Sequence, residues 1–178
     1  MSYSMTKSIC HRNKVMTFDV PKVMGVLNMT PDSFSDGGRF NHLDAALVHA
    51  EQMIAHGVDI IDIGGESTRP YAPKVSTDEE LERVIPIIAA IRENFGEDLW
   101  LSVDTSDPAV MLQAIGAGAD IVNDVRGLSR EGACDMVADL ECPVVIMHSR
   151  GTPDTMTQTM NELASYNYVL TDVITELQ

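Results

Sequence analysis

Short apolar runs that end in polar residues, each followed by an amphipathic stretch, constrain this chain more than any other feature. The runs fall at 23–28, 59–64, 99–104, 121–125 and 144–148. Helical spacing fills 42–56, 78–94, 108–117 and 132–140, with a last stretch from about 161 to the C-terminus. The runs do not alternate apolar with polar residues. They are apolar on both faces, as parallel strands covered by helices are. Five β-α units in series, about 20 to 40 residues each, call for right-handed crossovers and a parallel sheet in an α/β fold. Ligands of such folds sit at the carboxyl ends of the strands.

Local signals support this frame. Thr77 reads as an N-cap with Glu80 closing a capping box, and Asp107-Pro108 as an acidic cap before proline at the first helical position. Gly57, Gly96 and Gly118 stand where helices stop. A lead-in hairpin is expected near 15–20. A closed eight-stranded barrel takes at least ~200 residues. With five units in 178 residues, the chain is expected to be the N-terminal part of a longer barrel, one domain over 1–178.

Charge and cysteine usage narrow the partners. Twelve basic against 27 acidic residues give −15, which argues against nucleic acid or an anionic membrane as the main partner. An anionic small substrate stays open, because a few local donors or a metal ion can reverse the field inside one cleft. Cys10, Cys134 and Cys142 share no metal or CxxC spacing, as suits a reducing cytosol. No stretch approaches a membrane span, and residues 1–14 lack a signal-peptide core. A cytoplasmic protein is expected.

The strand ends carry the chemistry. The first is followed by Asn28-Met-Thr-Pro-Asp-Ser-Phe-Ser-Asp-Gly-Gly38. Asn28 can offer an oxygen to a metal ion or an amide to an anion. Asp32 and Asp36 add charge, Phe34 an apolar face, and the glycines a hinge. An ordinary polar crossover loop would use the same turn formers, but its length and its aromatic favour a substrate lid. The second loop, Gly64-Gly-Glu-Ser-Thr-Arg-Pro70, sets hydroxyls and Arg69 directly after a strand, a pattern for phosphate or carboxylate. It is neither a P-loop nor GxGxxG. Asp104 and Asn123 end the next two strands and suit a flat heterocycle with a mixed donor and acceptor edge. Asp62 and Asp124 lie nearby, one or both open to capping the helix that follows. His148 ends the last strand, with structural and catalytic roles evenly balanced. His11, His42, His49 and His56 read as solvated, and the eleven methionines as core filler. No Ser-His-Asp order, cysteine nucleophile or zinc spacing stands out.

Taken together, five motifs resemble the dihydropteroate synthase family of folate biosynthesis. They are Gly25-Val-Leu-Asn-Met-Thr-Pro-Asp-Ser-Phe-Ser-Asp-Gly-Gly38, Asp62-Ile-Gly-Gly-Glu-Ser-Thr-Arg-Pro70, Ser102-Val-Asp-Thr-Ser106, Asn123-Asp-Val-Arg126 and Met147-His-Ser-Arg-Gly151. The resemblance implies a TIM-type (β/α)8 barrel, of which about five units are present, and a transferase of a pterinylmethyl group. Such an enzyme joins dihydropterin-methyl diphosphate to p-aminobenzoate, releases pyrophosphate and is a sulfonamide target. It further implies that Asn28 helps hold magnesium and diphosphate, and that Thr68 and Arg69 bind the diphosphate. Asp104 and Asn123 would read the pterin edge. Phe34, Asp36, Ser67 and Pro70 would form the aminobenzoate pocket, with Asp36 near the developing positive charge and Asp36 and Arg69 catalytic. A homodimer is implied for the intact protein. Tyr71 stands where the family usually has glycine, and Asp107 where lysine is common. The family's later strands bring a second pterin-binding aspartate, a lysine and an Arg-x-His group that this sequence lacks. The chain alone is therefore expected to be inactive or unstable. A corrinoid-dependent pterin methyltransferase and a non-catalytic pterin-binding fragment are the alternatives.

Overall fold

The computed structural model describes residues 7–29, 39–66, 75–150 and 165–178, and only the backbone of 39–41. Within them an antiparallel hairpin, β1 (Ser8–His11) and β2 (Lys14–Thr17), precedes five β/α units. These comprise β3 (Met24–Asn28), α1 (Arg39–Ala55), β4 (Ile60–Gly64), α2 (Thr77–Phe95), β5 (Trp100–Asp104), α3 (Pro108–Ala117), β6 (Ile121–Asp124), α4 (Ala133–Leu140), β7 (Val144–Ile146) and α5 (Val169–Glu176). All five strands of the main sheet are parallel, and each pairs with the next in sequence order. An order without reversal has no switch point, which separates a sector of a barrel from a doubly wound sheet.

Strand periodicity assigns the two faces. Leu27, Ile61, Ile63, Leu101, Val103 and Val122, none more than 1% exposed, point toward the helices. They meet Ala46 and Ala50 of α1, Val84, Ile88 and Ile91 of α2, and Val110, Met111 and Ala114 of α3. Each such aliphatic side chain contributes about 1.5–3 kcal/mol on burial. The opposite face starts apolar: Ile60, Trp100 and Ile121 pack with Met16 of the hairpin, flanked by Ile9 and Met24. The hairpin thus stoppers the end of the sheet remote from the strand C-termini. It is held there by a buried charge network. Asp120, fully buried, accepts from Lys14 at 2.5 Å and from Arg92 at 2.8 Å. The Lys14 ammonium also lies 4.9 Å from the Trp100 ring centre, and Arg92 donates to the carbonyls of Gly96, Leu99 and Gly118.

The structure moves three local expectations. The hairpin covers 8–17 rather than 15–20, because Arg12 takes a left-handed φ of 51° and turns the chain there. The N-cap of α2 is Ser76, not Thr77: Ser76 is extended and accepts from the Glu79 amide, while Thr77 donates its hydroxyl to Asp107. The shift of one residue releases Glu80 from capping and buries it. His11 is buried rather than solvated, and burial together with the adjacent Arg12 lowers its pKa. The Asp107 cap is as expected, accepting from the Ala109 amide with Pro108 following. Among the described residues, no helix is long and apolar enough to cross a membrane.

Candidate functional site

Parallel register brings the strand ends into one row. Asn28 pairs with Gly64, Gly64 with Asp104, and Asp104 with Asn123. Registered neighbours in a sheet share a face, so the four project together on the side away from the helices. Gly64 is the low point of the row. A Cβ built there would lie 3.4 Å from Asn28 Oδ1 and 3.4–3.5 Å from the Asp104 side chain. The two polar groups therefore flank a place where the backbone itself is bare, and a flat ligand can approach it.

One layer below, the row is Val26, Asp62 and Ser102. Asp62 is buried, and its Oδ2 accepts from Asn123 Nδ2 at 2.9 Å. Among the described residues its other oxygen and the buried Ser102 hydroxyl find no hydrogen-bond partner. Burial raises the Asp62 pKa, against the opposing influence of the Ser102 and Asn123 side chains.

Asp104 is the electrostatic centre. Burial, then repulsion from Asp62, Glu80, Asp124 and Glu66, pushes its pKa up to about 7. Asp107 supplies the cap of α3, and Asp104 makes no hydrogen bond to another described residue. It is a partly buried carboxyl free for a ligand and able to change protonation near neutrality. Glu80 reinforces the negative field from the first turn of α2. Burial raises its pKa, opposed by a hydrogen bond from Thr105, and its Oε1 has no partner among the described residues. Gly65 permits this approach, since a Cβ on it would come within 2.8 Å of Val84 and 3.1 Å of Glu80.

Arg126 ties three loop bases together. It donates to Ser106 Oγ at 2.9 Å and to Glu66 Oε2 at 3.0 Å. Asp124, fully buried, accepts from the Ser106 hydroxyl and from the amides of Arg126 and Leu128. Asp124 thus organises the turn after β6 and does not face a ligand.

Of the residues singled out in the sequence, the structure brings Asn28, Asp104 and Asn123 together. Phe34, Asp36, Ser67, Thr68, Arg69 and Pro70 lie outside the described residues. His148 hydrogen-bonds Glu176 at 2.7 Å. Arg150 reaches the same carboxylate and stacks 3.9 Å from the Tyr166 ring centre. From the sequence Asp62 is open to capping the helix that follows, although its place two residues before Gly64 puts it on the inward face. The sequence reading assigned Glu66 and Arg126 no part in the loop bases, and no sequence pattern marks that pair.

As for a cation, no group of three or more His, Cys, Asp or Glu among the described residues could hold one. Asn28 alone, with an exposed carboxamide, fits magnesium held mainly by water and substrate phosphates.

Comparison with known proteins decides the family. The sequence profile of the family described as pterin binding enzyme matches residues 24–178. The chain belongs to the pterin-binding enzymes. Dihydropteroate synthase of Haemophilus influenzae is 48% identical over 166 residues, covering 93% of this chain and 58% of that protein. The structure of Yersinia pestis dihydropteroate synthase with a sulfonamide drug superposes with a TM-score of 0.81 at 46% identity, over 93% of this chain and 58% of that one. That of Burkholderia cenocepacia dihydropteroate synthase with 7,8-dihydropteroate gives 0.77 at 44%, over 97% and 56%. The chain therefore spans a little over half the length of these relatives. Its five-stranded sheet is a sector of their TIM-type barrel.

Proposed function

We propose that this chain carries the pterin-reading part of a dihydropteroate synthase. The observation that carries the reading is the row in which Asp104, whose side chain has no hydrogen bond to another described residue, stands beside Asn123 over the bare backbone of Gly64. Such a row receives the edge of a flat, amino-bearing ring. The B. cenocepacia relative bound to 7,8-dihydropteroate supports the ligand class.

The reaction follows from that placement. The bond between the pterin methylene carbon and the diphosphate oxygen breaks, and its electron pair leaves with pyrophosphate. The resulting cation is delocalised over the pterin ring, beside the carboxyls of Asp104, Asp62, Glu80 and Glu66, whose field favours positive charge. The nitrogen of p-aminobenzoate then bonds to the methylene carbon and releases a proton. No enzyme nucleophile is required. Asn28 would help hold a magnesium ion, which supplies charge neutralisation for the leaving diphosphate. Thr68 and Arg69 would grip the same diphosphate. Phe34, Asp36, Ser67 and Pro70 would enclose the aminobenzoate, with Asp36 near the cation. A homodimer acting in the cytoplasm belongs to the same reading.

The test is pyrophosphate release with dihydropterin-methyl diphosphate, p-aminobenzoate and magnesium, run beside equilibrium pterin binding. Wild type is compared with Asp104→Ala and Arg69→Ala. Turnover lost in both variants carries the reading. Saturable pterin binding lost in Asp104→Ala, with no turnover, restricts the chain to a binding role. A folded chain that shows neither overturns the proposal.

A further inference from the structure

We propose that Asp62 is a positioning residue, which from beneath the ligand row fixes the Asn123 carboxamide with its oxygen turned toward the cleft. Asp62 lies in β4 and Asn123 in β6, so the hydrogen bond crosses the intervening strand β5. The residue of β5 level with Asp62 is Ser102, whose small side chain leaves the diagonal path open. A carboxyl at this level is costly. Only 3% of Asp62 is exposed, Ile60 and Trp100 form the layer below, Ile121 stands level with Ser102 in its own layer, and no described cation pairs with it. An aliphatic residue would fill the place at lower free energy, so the hydrogen bond to Asn123 is where its contribution lies.

That bond selects one face of Asn123. A primary amide can present either its oxygen or its NH2, and the two orientations are almost equal in shape. A carboxylate oxygen accepts only, so the amide nitrogen is drawn down to Asp62 and the amide oxygen is left above. The row then offers an acceptor at Asn123 beside the carboxyl of Asp104. Two neighbouring acceptors prefer a ring edge that presents N–H donors and disfavour an edge carrying carbonyl oxygen there. The ligand-facing half of this inference rests on the pterin reading above; the orientation of Asn123 does not.

Two measurements on the whole chain separate those halves. The first is NMR of the Asn123 side-chain amide protons without ligand, in wild type, Asp62→Asn and Asp62→Leu. Asparagine at 62 can still accept through its own oxygen, and leucine cannot. Protected, well-separated amide protons are expected in wild type and Asp62→Asn, with solvent-like exchange in Asp62→Leu. The second is the ratio of dissociation constants for pterin and for lumazine, in which a carbonyl replaces the 2-amino group. Wild type and Asp62→Asn should favour pterin, with a ratio below one, and Asp62→Leu should raise the ratio by about tenfold, the value of one hydrogen bond of ordinary strength. A loss of folded protein would weaken both ligands alike and leave the ratio unchanged. Freely exchanging Asn123 amide protons in wild type overturn the proposal even if Asp62→Leu does not fold, and so does an unchanged ratio in a folded Asp62→Leu. Pinned amide protons that Asp62→Leu releases, in a wild type that binds neither ring, uphold the positioning and overturn the pterin reading.

Discussion

Replacing Asp104 with asparagine should stabilise this protein, and only toward alkaline pH. The carboxyl titrates at 3.8 in its ordinary state and at about 7 in the fold, chiefly because it is buried and secondly because Asp62, Glu80, Asp124 and Glu66 repel its charge. Between those values the folded chain holds a proton that the unfolded chain has released. Stability therefore falls as pH rises; the contribution is fully present below about 3.8 and lost above about 7. The whole displacement corresponds to about 4 kcal/mol, of which about 3 kcal/mol falls between pH 5 and pH 8. Asparagine removes the titration while keeping the size of the side chain. The assay is urea unfolding of wild type and Asp104→Asn at both pH values. The stability difference between them should grow by about 3 kcal/mol in favour of the variant from pH 5 to pH 8, equivalent to roughly 6–12 °C in melting temperature. Taking the change of that difference cancels any effect of the amide that does not depend on pH. Asp62 and Glu80, which are raised in the same sense, remain in both chains, so the part of their titration that is independent of Asp104 cancels as well. An equal difference at pH 5 and 8 would refute the reasoning, as would a variant weakened more at pH 8. The expected result would mean that the fold tolerates a destabilising carboxyl at a place where a ligand can use it.

Other perturbations probe the frame that holds the row. Asp120→Ala strands a buried cation, Arg92, and a part-buried one, Lys14, and should cost about 3–5 kcal/mol by urea denaturation; a loss under 1 kcal/mol would show that the hairpin stopper does not depend on this network. Gly65→Ala puts a methyl group 2.8 Å from Val84 and should cost about 1–3 kcal/mol in thermal unfolding. It should also weaken ligand binding, because the strand end must move; a neutral result would deny the close packing of α2 on β4.

How much of this could be read beforehand depended on how far each interaction reaches along the chain. The strands at 23–28 and 99–104 differ from the structure by one residue at their starts, and helix 108–117 not at all, because apolar runs and proline or glycine boundaries act locally. Asp104 and Asn123 were legible because each closes a strand, and strand order then made them neighbours. Glu80 was misread because Ser76 and Thr77 are equivalent cap candidates, and only packing decides between them. His11 was misread because its burial comes from the stopper folding under the sheet, a contact with residues more than a hundred positions away such as the one Arg12 makes with Ile115. The bond between Asn123 and Asp62 spans 61 residues and two strands, and no local pattern announces it.

The charge of the site poses the sharper question. A chain of net charge −15 is proposed to receive a diphosphate, and the described strand ends are acidic. The described arginines around them do not resolve this. Arg126 is taken by Ser106 and Glu66, Arg83 by Glu79 and the Gly65 carbonyl, and Arg130 by Asp107. Each is committed to holding a loop base or a helix start. The proposed reaction therefore divides its charges between two sets of residues. The strand-end carboxyls face the ring, which becomes cationic as the carbon–oxygen bond breaks. In that proposal the anionic leaving group would fall to Arg69, Thr68 and a metal ion. Such a division favours bond cleavage in a way that a uniformly basic cleft would not, because a basic cleft would hold the ground-state diphosphate tightly and oppose the cation. On this argument the acidity of the strand ends is a condition of the chemistry, and a neutral row would bind a pterin yet activate it less.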